Sequence, residues 1–185
     1  ASITGGSDAS VNTDLYISND YKASAGESDY ISIKAGQALT ELSALKVTFV
    51  APLSMIDMVS ISKDGTVLQN VPFTTTNSNT GEFTVNFGTF STIASVSDNA
   101  VLFKLLVSLK SSLDQDDTVV ISRKDNSTNS LITVTGGSRV PTFTDGKITI
   151  GTTADACTPA DKCGPHATCR PSDGECICKK GYDPA

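Results

Sequence analysis

Short runs in which apolar and polar residues alternate recur along the first 150 residues, and this period of two confines that stretch to β structure. Leu45-Lys46-Val47-Thr48-Phe49 and Phe83-Thr84-Val85-Asn86-Phe87 alternate strictly. Tyr30 to Lys34, Val59 to Ile61, Leu131 to Val134 and Lys147 to Ile150 follow the same rule. Such spacing marks a half-buried strand, because successive side chains point to opposite faces. Val101 to Val107 is almost continuously apolar and predicts a central strand buried on both faces. Thr118 to Ser122 is rich in β-branched residues and predicts the next strand. Asp64-Gly65, between Ile61 and Val67, predicts a hairpin. Thr80-Gly81, Gly136-Gly137 and Asp145-Gly146 mark further turns. Roughly nine or ten short strands at this spacing predict an all-β sandwich. Only Gln37 to Leu45 reads as helix-like, and Ser91 to Ser97 reads as a short turn.

The cysteines divide the chain. All five lie between Cys157 and Cys178. Residues 1–151 therefore form one cysteine-free domain, large enough to bury a core without disulfides. Residues 152–185 form a second, small disulfide-rich module after the small-residue joint Gly151 to Ala156. Dense cysteines in a short segment require an oxidising compartment, which places the chain outside the cell or on its surface.

The tail resembles an EGF-like module. The spacing of Cys157, Cys163, Cys169, Cys176 and Cys178, followed by Gly181-Tyr182, carries the likeness. The resemblance implies disulfides Cys157–Cys169 and Cys163–Cys176. It also implies a sixth cysteine beyond Ala185, so that Cys178 is unpaired in this chain. The acidic run of the calcium-binding subtype is absent from Thr153-Ala154-Asp155-Ala156, which implies no calcium in this module.

Residues from about 10 to 150 resemble cohesins, jelly-roll sandwiches that hold partner modules in extracellular assemblies. Leu45 to Phe49, Ile56 to Ile61 with Asp64-Gly65, Ala100 to Lys110 and Phe143 to Ile150 carry this likeness. The resemblance implies a protein partner and no catalysis, and it carries over no binding residue.

Composition narrows the alternatives. Lys and Arg number 14 against 20 Asp and Glu, a net charge of -6. That balance disfavours nucleic acid, whose phosphates are neutralised by cations. No apolar run is long enough to form a transmembrane helix. The single histidine, His166, lies inside the tail and suits neither a catalytic triad nor a zinc set with Cys163 and Cys169.

Four candidate features remain. Asp114, Asp116 and Asp117 form one candidate calcium loop, and Asp20, Glu27 and Asp29 a second, since hard cations want several converging oxygens. Tyr16, Tyr21 and Tyr30 suggest a platform for a carbohydrate ligand. Asn126-Ser127-Thr128 is an N-glycosylation sequon in a polar turn. Val11, Leu15 and Ile17 share one face of a β-prone run behind a glycine-rich lead. That run is either the first strand of its own sheet or a strand exchanged between subunits of a filament. The leading expectation is a protein-binding or assembly module; a self-assembling fibre subunit and a carbohydrate-binding adhesin are the alternatives.

Overall fold

The computed structural model describes residues 2–151, 167–169 and 176–178. The first strands are β1 (Leu15–Tyr16), β2 (Tyr21–Ala23), β3 (Ser28–Ala35), β4 (Leu39–Val50), β5 (Ile56–Ser62), β6 (Thr74–Asn77) and β7 (Glu82–Val96). Then come β8 (Val101–Leu109), β9 (Thr118–Arg123), β10 (Leu131–Val134), β11 (Gly137–Arg139), β12 (Phe143–Thr144) and β13 (Gly146–Ile150). In the tail, β14 (Ala167–Cys169) and β15 (Cys176–Cys178) pair antiparallel, with Cys169 opposite Cys176.

Two sheets make the sandwich. The smaller runs β12-β1-β3-β8-β5. The larger runs β11-β10-β4-β9-β13-β2, with β7 on the other side of β4 and β6 beyond it. The inward residues follow the period-two pattern: Leu45, Val47 and Phe49 of β4 face Leu105, Phe103 and Ile33 of the other sheet, and all are buried. Phe49 lies edge-on to Phe103, with ring centroids 6.2 Å apart, and edge-on to Phe143 at 6.1 Å. Phe49 and Phe103, both fully buried, each contribute about 2–3 kcal/mol. Among the described residues there is no helix, and so none long and apolar enough to cross a membrane.

Several sequence expectations need correction. Gln37 to Leu45 is not helical. Leu39 and Leu42 are buried three residues apart because Glu41 takes a left-handed φ of 55° and the register against β7 shifts between Leu42 and Ala44. A β-bulge adds one residue to a strand, so its apolar spacing locally becomes three and imitates a helix. Ser91 to Ser97 is likewise not a turn: residues up to Val96 continue β7, paired to the same bulged stretch. Asp64-Gly65 does turn, with Gly65 at φ 69°, but no strand follows it. Val67 and Leu68 instead donate to the carbonyls of Val101 and Leu102 from a loop. β8 is buried on both sides only at its start, where Leu102 and Phe103 are both covered; beyond it Leu105 and Val107 point inward, whereas Lys104 and Leu106 are half-buried. The β-prone run from Val11 contracts to β1.

Candidate functional site

Asp117 accepts from the Asp114 amide through Oδ2 at 2.8 Å, closing the turn between β8 and β9. Asp116 has φ 69°, and its amide donates to Ile150 at 2.7 Å. Asp20 accepts from the amides of Gly6 at 3.0 Å and Ser7 at 3.2 Å. The Ser7 side chain first, and these amides with it, hold the Asp20 carboxyl below its ordinary value. Asp29 accepts from the Tyr30 amide at 2.7 Å, and Glu27 Oε2 is buried with no partner among the described residues. Among the described residues, no three acidic, histidine or cysteine side chains are grouped so that they could hold a metal ion.

The tyrosines form no platform. Tyr16 and Tyr21 are buried, and only Tyr30 is exposed. Tyr21 accepts from the Ser32 amide at 2.9 Å, and Tyr16 donates to Asn99 at 2.7 Å. The glycine-rich lead lies against them: Lys34 donates to Gly6 O at 2.6 Å and Asp8 at 2.8 Å. A Cβ on Gly6 would come within 2.7 Å of the Tyr21 ring.

Leu15 and Ile17 are buried and Val11 is half-buried. β1 sits inside its own sheet, antiparallel to β3 and parallel to β12. Ile17 packs where Gly146 has no side chain: a Cβ there would meet Ile17 Cγ2 at 2.2 Å. Asp14, which sequence reasoning passed over, anchors this strand. It accepts from Arg139 at 2.6 Å, Gln37 at 2.9 Å and the Thr142 amide at 3.0 Å.

The outer face of the larger sheet offers a different surface. Along β9, Val119 and Ile121 point inward, so Thr118, Val120 and Ser122 point out. Registers place Lys147 beside Val120 and Val50 beside Ser122, with Glu82 next to Val50 across β7. Thr84 and Thr76 continue this face toward β6. It is a field of hydroxyls, and its Glu82 carboxylate is paired to Lys124. At one end, Val50, Ala51, Pro52, Leu53, Thr80, Val120 and Ser122 line an open, mainly apolar hollow of about 520 Å³. Leu53 and Val120 remain 42% and 41% exposed there. Gly81, at φ 79°, lets the β6–β7 turn close on Ala51: a Cβ at Gly81 would meet the Ala51 carbonyl at 2.3 Å. The signal for Val120 was present in the sequence. In Val119-Val120-Ile121, three consecutive apolar residues on an alternating strand put one of them outside. Leu53 lies in a turn and had no such signal.

No protein-family model matches the chain, and no curated protein matches it. Solved structures do match in fold. The sixth cohesin of scaffoldin B from Acetivibrio cellulolyticus, solved with the Cel5 dockerin, is 17% identical with a TM-score of 0.59, covering 76% of this chain and 99% of that one. The type I cohesin of the Coh-OlpA–Doc918 complex from Clostridium thermocellum is 12% identical, with a TM-score of 0.56 and coverages of 75% and 98%. CaCohA2 of Clostridium acetobutylicum is 13% identical, with a TM-score of 0.56 and coverages of 80% and 97%. The sandwich therefore has the cohesin-like jelly-roll fold.

Proposed function

We propose that this chain is a non-catalytic protein-binding module whose partner docks on the outer face of the larger sheet, around Leu53 and Val120. The apolar hollow between these residues carries the reading. A docking site combines an apolar centre with a polar rim, and here Thr80, Ser122 and Lys147 surround the exposed aliphatic side chains. The fold neighbours support it, because two of those named above were solved bound to dockerins. A dockerin-like module is the proposed partner class. The tail is proposed to be an EGF-like spacer, with disulfides Cys157–Cys169 and Cys163–Cys176, in a protein displayed outside the cell.

Calorimetric titration with a panel of dockerin modules tests this. Binding of at least one is expected, with affinity falling at least tenfold, about 1.4 kcal/mol, for Val120→Lys or Leu53→Asp. Val59→Lys, on the exposed outer side of the smaller sheet, serves as the control and leaves affinity unchanged. Equal losses from both faces would reject the site.

A further inference from the structure

The loop between β9 and β10 holds the chain's one Asn-x-Ser/Thr sequon, Asn126-Ser127-Thr128, and its role is not absorbed by the docking surface. The loop is built to present it. The Asn129 and Ser130 amides both donate to the Asn126 carbonyl, at 3.1 and 2.9 Å, closing a tight turn. Lys46 Nζ donates to Thr128 O at 2.7 Å, and Thr48 Oγ1 donates to Asn129 O at 2.8 Å. Ser130 Oγ donates to Lys124 O at 3.0 Å. The turn is thus pinned from below to β4, while Asn126, Ser127 and Thr128 are exposed.

The polarity of the Asn126 amide matters most. Its Oδ1 is taken twice, by the Asn129 amide at 3.0 Å and by Asn129 Nδ2 at 2.6 Å. That fixes the oxygen toward the turn and leaves Nδ2 with no hydrogen bond among the described residues. Nothing in the fold would have to break for Nδ2 to carry a bulky substituent. The Thr128 hydroxyl is equally unengaged by the described residues, so the residue that defines the sequon has no competing structural duty there.

We infer that Asn126 is an acceptor for an N-linked glycan. Its Nδ2 attacks the anomeric carbon of a lipid-pyrophosphate-linked oligosaccharide. The new C–N bond replaces the C–O bond to the pyrophosphate, which leaves with the lipid, and the amide proton passes to the transferring enzyme's base. The sugar chain would stand beside the outer face of the larger sheet, near the Lys124–Glu82 pair, leaving the Leu53 end of the hollow as the open approach for a partner. The inference rests on the reading that the protein passes through a secretory route.

Expression of the full chain behind a eukaryotic secretion signal, followed by mass spectrometry, tests it. The tryptic peptide 125–139 is expected to carry a glycan that peptide N-glycosidase removes, converting Asn126 to Asp. Thr128→Ser is expected to keep the modification. Thr128→Ala is expected to abolish it with the melting temperature unchanged, which separates loss of the acceptor from loss of the fold. A secreted, folded protein with unmodified Asn126, or a glycan that survives Thr128→Ala, overturns the inference. Failure of the extracellular reading shows differently: the sequon would be accepted in this host while native cells keep the protein inside.

Discussion

Asp14 has no exposed surface and still carries a charge. Burial alone would push its carboxyl up, but the bonds from Arg139, the Thr142 amide and Gln37 outweigh it and hold the group below its ordinary value of 3.8. A carboxyl lowered by folding adds stability that is present above the unfolded value and is lost as pH falls through the folded one. Arg139→Ala removes the strongest of these bonds and leaves the anion buried. Its side chain is 45% exposed in the wild type, so the cost is about 2–3 kcal/mol, between the roughly 1 of an exposed pair and the roughly 4 of a buried one. Denaturant unfolding is expected to show that gap in full at neutral pH and to show it shrinking as the medium is acidified below the ordinary carboxylate value. A gap independent of pH would mean that Arg139 acts through packing alone. Asp14 was legible only as one charged residue in a β-prone run. Its partners lie 23, 125 and 128 residues away in sequence, and local pattern carries no information about such contacts.

At the scale of elements, the alternating strands were readable and the bulged pair was not. β13 appears where period two placed it, because it buries one face and its ladder with β9 is unbroken, and β9 appears where its β-branched run placed it. The stretch Leu39 to Leu45 defeated the same reasoning, since its left-handed residue is Glu41 and not glycine. Glycine would adopt that backbone without strain, whereas a β-branched residue would not. Glu41→Gly is therefore expected to be neutral or stabilising by up to about 1 kcal/mol, and Glu41→Val destabilising by about 1–2 kcal/mol, in thermal unfolding. If valine proves neutral, the bulge lies elsewhere. The face that Val120 presents was implicit in its strand, but the hollow beneath it was not, because Pro52, Leu53 and Thr80 arrive from turns. β1 leads to a third expectation. It lies between two strands of its own sheet and is tied down by Asp14. Deleting residues 1–18 is expected to destabilise the monomer and leave its oligomeric state unchanged. Loss of polymerisation, restored by adding the peptide back, would instead establish strand exchange between subunits.

As a whole molecule, the sandwich has two outer faces of different character. The outer face of the smaller sheet is occupied at one end by the glycine-rich lead, held through Lys34. The outer face of the larger sheet is rich in hydroxyls, carries Lys147 beside Val120, and is hollowed at one end by a mainly apolar surface. That hollow is where a partner can close on aliphatic side chains without desolvating many ions. The most direct test is amide chemical-shift mapping of the isotope-labelled protein during titration with a dockerin module that binds. Shifts are expected to cluster on Val50, Ala51, Leu53, Thr80, Val120 and Ser122, with Tyr30 and Val59 unmoved. Shifts centred on Tyr30, Leu106 and Val59, or no dockerin binding by any module tested, would rule out docking on the outer face of the larger sheet.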